Sequence, residues 1–187
     1  MRTLYFGLDP LNYPLKDHLL HAPLIETCAF PLRDVQEALQ KGSFADTCIL
    51  TSKKSCYYFF ERIKELDLLD AFISMSYFSI GRATSAAIAS YGVKRIKTAS
   101  VETGEGLISL LDQFSFEERS IIYPHSKRSR ALIGDFLKPF NVIDQAFYTT
   151  KMKAPPSWIR LSKGDQLVFT SGSVVESFYH HFGSVSF

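Results

Sequence analysis

The sequence predicts an α/β protein of the doubly wound, parallel-sheet kind, and three observations carry that prediction. Short apolar runs of β type alternate along the chain with amphipathic helical segments, the order that parallel strands with crossover helices require. Several runs are apolar without alternation, such as TCIL and QLVF, as strands buried on both faces are. One strand–turn–helix pattern also occurs twice. DTCILTSKKSCYYFF from Asp46 to Phe60 and DQLVFTSGSVVESFY from Asp165 to Tyr179 match at an offset of 119 residues, in Asp46/Asp165, Thr51/Thr170, Ser52/Ser171 and Phe59/Phe178.

Taken in order, the first strand is expected over 2–8 (RTLYFGL) and the next over 24–30 (LIETCAF), followed near Phe30-Pro31 by a crossover. DVQEALQ at 34–40 reads as a helix stopped by Lys41-Gly42. The apolar run 46–51 is a strand, its Thr-Ser turn leads into a helix over 54–66, and FISMSYF at 72–78 is the next strand. A helix over 83–91 ends at Gly92, and a strand over 93–98 precedes a helix over 104–114, for which Thr103 is the expected N-cap. Strand 119–123, helix 128–138 and strand 142–148 follow. The proline-interrupted connection from Lys151 to Asp165 holds Pro155-Pro156, Gly164 and the single tryptophan, Trp158, expected to anchor it by packing. Strand 166–170 and helix 173–181 complete the chain.

Composition narrows the functional classes. In 187 residues, 46% are hydrophobic and 21% charged, with 16 Phe and 9 Tyr, which excludes extended disorder, collagen and coiled coil and supplies ample core material. The net charge of +2 is too mild to argue for nucleic acid. No apolar run approaches the roughly 18 residues of a membrane helix. Asp9 interrupts the apolar start too early for a signal peptide, so a cytoplasmic protein is expected, without nucleic acid or membrane as partner. Cys28, Cys48 and Cys56 form no CxxC pair, and Cys48 inside its apolar run reads as a small core hydrophobe. His18, His21, His125, His180 and His181 show no metal-ligand spacing, so no metal is expected.

Candidate binding residues gather where strands give way to helices. Thr51-Ser52 and Thr170-Ser171 can cap the following helices, and the free N–H groups behind them can hold an anion at the carboxyl end of a sheet. Gly81-Arg82-Ala83-Thr84 occupies a similar place, its glycine allowing an anionic group close to the backbone. YPHSKRSR, from Tyr123 to Arg130, puts Ser126, Lys127 and further cations at an expected helix start, where they oppose the macrodipole unless a polyanion sits there. No P-loop, GxGxxG or GxSxG pattern is present. Tyr148, in QAFYTTK, is the one promising titratable group near a crossover. A tyrosine can give a proton to a departing oxygen, although a half-buried strand tyrosine satisfies the same pattern.

These segments, in this order, resemble the uroporphyrinogen-III synthase family. DTCILTSKKS and DQLVFTSGSV correspond to its acidic residue, apolar strand and T-S-P in each half. IGRATSAAI resembles its GxxTAxxL turn and helix, TGEGLISLL its xxEGLxxLL segment, QAFYTTK its V-Y-x-T strand, and HAPLIETCAF its first crossover. The resemblance covers essentially the whole chain. It implies two flavodoxin-like domains joined by two linking strands, the first formed by residues 1–30 with 151–187 and the second by 31–150, with the active site in the cleft. It also implies a lyase that cyclises hydroxymethylbilane, a linear tetrapyrrole, with inversion of the terminal pyrrole ring and loss of water, on the route to haem. No cofactor is implied. Tyr148 matches the family's tyrosine implicated in water loss; Thr51, Ser52, Gly81, Thr84, Ser126, Lys127, Thr170 and Ser171 are the expected substrate contacts. A non-catalytic relative that binds a tetrapyrrole or a protein partner through the cleft is the alternative.

The sequence departs from the family in three places. Lys53 and Gly172 replace the prolines of the two T-S-P motifs, Leu8-Asp9-Pro10 stands for an N-terminal T-R-P, and the second GPxTA turn is absent. Carrying the 119-residue offset forward puts equivalents of Gly81 and Leu111 at roughly 200 and 230. The second copy is therefore expected to be incomplete, with an unfinished sheet whose edge invites self-association.

Overall fold

The computed structural model describes residues 2–10 and 19–183, and His18 lies outside them. The chain runs β1 (Thr3–Tyr5), β2 (Leu19–His21), β3 (Ile25–Ala29), α1 (Leu32–Gly42), β4 (Thr47–Leu50), α2 (Lys53–Glu65), α3 (Leu69–Ile73), β5 (Ser76–Ser79) and α4 (Arg82–Ala89). It continues with β6 (Ile96–Thr98), α5 (Gly104–Leu111), β7 (Ser120–Ser126), α6 (Leu132–Leu137), β8 (Asn141–Met152), β9 (Gln166–Val168) and α7 (Gly172–Phe182). Two compact units result: residues 1–28 with 150–187, and residues 29–149. The chain crosses the boundary within β3 and again within β8.

The continuous apolar runs explain the larger unit. Its sheet has the order β3-β8-β7-β4-β5-β6, and the β8-β7-β4-β5-β6 pairs are parallel. Successive strand residues point to opposite faces. Cys48 and Leu50 of β4 therefore pack in one core with Val35, Leu39, Phe59, Phe60, Ile63 and Ile88 of α1, α2 and α4. Ile49 between them packs in a second core with Leu107, Leu111, Ile133 and Leu137 of α5 and α6. A strand covered by helices on both sides has no polar face, which is why TCIL shows no alternation. Cys48 is fully buried as expected, and burial pushes its thiol pKa well up.

Three expectations need correction here. The run at 72–78 is not one strand: Phe72 belongs to α3, and β5 begins at Ser76. A short apolar run does not separate helix from strand by periodicity. The tertiary contact decides it, since the Phe72 ring meets Phe59 edge-on at 5.1 Å and the Phe72 carbonyl accepts the Tyr77 hydroxyl at 3.0 Å. The basic segment does not open a helix at 128, because β7 runs on to Ser126, a turn follows at Lys127-Arg128, and α6 starts at Leu132. Gly42 is no left-handed stop. It lies within α1 and is small because the Ile122 side chain presses against it. Gly92 does take a left-handed conformation after α4, with φ of +95°.

In the smaller unit β1 lies between β2 and β9, parallel to both. Leu4, Phe6, Leu24, Val174 and Phe178 form its core. The anchor of the proline-rich connection is Ile159, 4% exposed, and not Trp158, which is 50% exposed. The two repeat copies adopt the same succession, β4 to α2 and β9 to α7. Their acidic residues also share a task, tying the start of a neighbouring strand. Asp46 accepts from the Ser120 amide and hydroxyl at 3.0 and 3.2 Å, and Asp165 takes a bidentate bond from Arg2 at 2.9 and 3.0 Å.

Candidate functional site

Because β4, β5, β7 and β8 are parallel, their carboxyl ends lie along one edge of the larger unit. Thr51-Ser52, Ile80-Gly81, Ser126 and Tyr148 therefore come together from four separated stretches of sequence, in the place where such sheets bind ligands.

Tyr148 owes its position to a bulge. The β7–β8 register runs from Ser120↔Asn141 to His125↔Ala146 and then jumps to Ser126↔Tyr148, leaving Phe147 unpaired. The extra residue re-aims two side chains. Phe147 enters the core, fully buried and edge-on to Phe59 at 5.3 Å. Tyr148 stacks on Tyr58 with ring centroids 4.8 Å apart, and its hydroxyl lies 3.3 Å from Ser52 Oγ. The Lys127 amide donates to the Tyr148 carbonyl at 2.8 Å, closing the turn after the bulge.

Ser52 is the N-cap of α2: its Oγ accepts from the Ser55 amide at 2.9 Å and lies 2.9 Å from Ser55 Oγ. Thr51, just before it, shares a pocket wall with Tyr123 and Ser129. Tyr123 is 3% exposed, and burial pushes its pKa up to about 12 against the lowering influence of the Thr51 and Ser129 hydroxyls. These groups border a pocket of about 170 Å³ lined by Thr51, Tyr123, Ser129 and Arg130, with Ile80, Gly104, Leu132 and Ile133 as its apolar wall. One phenol and two hydroxyls beside one guanidinium, against an apolar wall, suit a ligand that is anionic at some points and ring-like at others.

The turn at Gly81 differs from its expected form. Gly81 has ordinary extended backbone, with φ of −176°, so left-handed freedom is not what it supplies. A Cβ there would come within 2.5–2.8 Å of the Glu102 carboxyl end, and that carboxylate accepts from the Arg82 amide at 2.9 Å. The glycine does let an anionic group reach the start of α4, and in this structure the group is the chain's own Glu102. Thr84 is buried at 4% exposure in the first turn of α4. Ser126 is buried and accepts from the Arg128 amide at 3.2 Å, while the Lys127 side chain is exposed. Thr170 and Ser171 lie in the smaller unit, both exposed. Ser171 is the N-cap of α7 but makes no side-chain cap bond. Thr103 caps α5 as expected, accepting from Gly106 at 3.1 Å.

Four contributors escaped sequence reasoning: Tyr58, Tyr123, Glu102 and the His125–Asp144 pair. Each acts across strands or helices distant in sequence, so no local pattern announces it.

Comparison with known proteins agrees with this architecture. The uroporphyrinogen-III synthase HemD family model matches residues 18–186. Among curated proteins nothing matches. The crystal structure of uroporphyrinogen-III synthetase from Helicobacter pylori is similar at a TM-score of 0.69 and 19% identity, over 99% of this chain and 80% of that one. A mutant uroporphyrinogen III synthase from the extremely thermophilic bacterium Thermus thermophilus is similar at a TM-score of 0.60 and 15% identity, over 81% of this chain. The chain spans 63% of the length of that Thermus protein. Identities this low speak for the fold, while the family model spans nearly the whole chain, and on that match the chain belongs to the uroporphyrinogen-III synthase family.

Proposed function

We propose that this chain is a uroporphyrinogen-III synthase, a lyase that closes hydroxymethylbilane into a macrocycle with inversion of the terminal pyrrole ring and loss of water. The observation that carries the reading is the bulge-set Tyr148 hydroxyl, 3.3 Å from Ser52 Oγ at the carboxyl ends of a parallel sheet. Departure of a hydroxide is slow in water and benefits from a positioned acid. In this reading Tyr148 gives its proton to the leaving hydroxyl, which departs as water. The freed methylene carbon then bonds to the substituted ring carbon of the terminal pyrrole, and the bond from that carbon to its original methylene bridge breaks. The bridge re-bonds to the pyrrole's free α-carbon, and the proton lost from that α-carbon restores the phenol. Stacking on Tyr58 and the Ser52 contact hold the ring so that little motion is needed at that moment.

The substrate's acetate and propionate groups call for dispersed donors. Thr51, Ser52, Gly81, Thr84, Ser126 and Lys127 are proposed for that role in the larger unit, and Thr170 and Ser171 repeat the turn chemistry in the smaller one. The reading includes two flavodoxin-like domains and needs no cofactor.

Hydroxymethylbilane generated enzymatically in situ, followed by isomer analysis, tests it. The protein is expected to yield the type III isomer above the spontaneous type I background, and Tyr148→Phe to lower the rate about 10²-fold or more. Only type I product would overturn the synthase reading and leave a binding role. Full-rate type III formation by Tyr148→Phe would overturn the acid assignment alone.

A further inference from the structure

His125 has acceptors at both ring nitrogens. Nδ1 lies 2.7 Å from the Ser126 carbonyl oxygen and Nε2 lies 2.5 Å from Asp144 Oδ1. A carbonyl and a carboxylate only accept, so satisfying both takes a ring that donates twice. The ring also stacks on Tyr123, with centroids 4.8 Å apart. Its environment is therefore specified from three directions: its own strand β7, the partner strand β8, and the phenol beside it. Asp144 comes from β8, is itself 44% exposed, and lines a shallow surface pocket together with the charged residues Arg33, Asp34, Glu37 and Lys41 of α1.

The location matters more than the bonds. The register jump falls between His125 and Ser126, so the imidazole sits on the last regular pair before the bulge. One bond holds the carbonyl just past the jump, and the other holds β8 two residues before Ala146, the partner of His125. A bulge interrupts the ladder and leaves backbone groups to be held otherwise. We propose that His125, clamped by Asp144, is a positioning residue that fixes the β7–β8 bulge and thereby sets Tyr148 against Ser52. This rests on the reading of Tyr148 as the acid, and it adds the residue that determines where that acid points.

The test is a double-mutant comparison on the full chain. His125→Phe keeps the ring stack and removes both donors; Asp144→Ala removes one end of the clamp at an exposed side chain and guards against a folding failure. Each is expected to lower turnover about tenfold to hundredfold with KM changed less than about twofold, since a misplaced acid weakens chemistry more than binding. In a Tyr148→Phe background the same substitutions should cost no further rate.

Equal losses with and without the Tyr148 hydroxyl would overturn the proposal, as would a variant structure in which Ser126 still faces Tyr148 across an unchanged bulge. If Tyr148→Phe alone is fully active, the acid reading fails. The structural half is then decided by whether His125→Phe shifts the Tyr58–Tyr148 stack, and an unshifted stack would overturn it.

Discussion

Removing the Tyr123 hydroxyl should change the pH dependence of stability in a way that can be worked from the structure. The phenol is 3% exposed, and burial raises its pKa from 10.0 to about 12. The unfolded chain then releases this proton near pH 10, while the folded protein retains it to about pH 12. A group whose folded pKa is raised contributes its full stability below the unfolded value and loses it as pH rises through the folded one. Holding the proton from pH 10 to about pH 12 corresponds to about 3 kcal/mol lost across that window, with about half gone by pH 11. Tyr123→Phe lacks this loss but also loses the polar group that faces the Thr51 and Ser129 hydroxyls in the pocket, which at neutral pH should cost about 1–2 kcal/mol. The variant is therefore the less stable protein at pH 8 and should draw level near about pH 11. Urea unfolding of both proteins at a series of pH values measures the difference directly. Tyr77, Cys48 and Cys56 also carry raised pKa values, but they are common to both chains and cancel. A stability difference that stays flat from pH 8 to 11 would show that Tyr123 is not held neutral by its surroundings, and the reasoning would fall.

Other outcomes follow from the caps and the close approaches. Gly81→Ala should displace the Glu102 carboxylate from the Arg82 amide, lowering the urea midpoint by the equivalent of about 1 kcal/mol with an unchanged m-value. Glu102→Ala should cost a similar amount, and the double variant no more than either alone; additive losses would mean that the two residues do not share one cap. Ser52→Ala should destabilise by about 1 kcal/mol, because the Ser55 amide loses its acceptor. Ser171→Ala should cost only a few tenths, because that side chain makes no cap bond. Equal costs in thermal or urea unfolding would contradict the difference between the two repeat copies.

What was legible in the sequence is what depends on local composition. TCIL announced a strand buried on both faces, because nothing polar interrupts it, and the structure shows helices of two cores meeting β4 from either side. Thr103 and Ser52 were readable as caps because an N-cap needs only its own side chain and an amide three residues on. The repeated Asp–strand–Thr-Ser–helix pattern could be found by offset alone, and the family followed from the order of such motifs. Phe72 could not be placed this way: its apolar run suits a strand equally well, and only the Phe59 ring and the Tyr77 hydroxyl put it on a helix.

The site divides along the same line. Thr51, Ser52 and Gly81 could be named from sequence, since each stands at a strand end next to turn chemistry, and Tyr148 because it lies near a crossover, although β8 runs on past it to Met152. That Tyr148 faces Ser52 depends on one extra residue in β8, and a bulge is a relation between two strands that neither encodes alone. The occupant of the α4 N-terminus could not be foreseen either, because Glu102 arrives from 20 residues away. Nor could the two acceptors around His125, one of them 19 residues along the chain. Sequence by itself determined the strand–helix succession in most of the chain, the family and the chemical character of the strand ends, but neither β2 nor α3. Tertiary structure alone decided which hydroxyl meets which ring, because those contacts are made by residues that only the parallel sheet brings side by side.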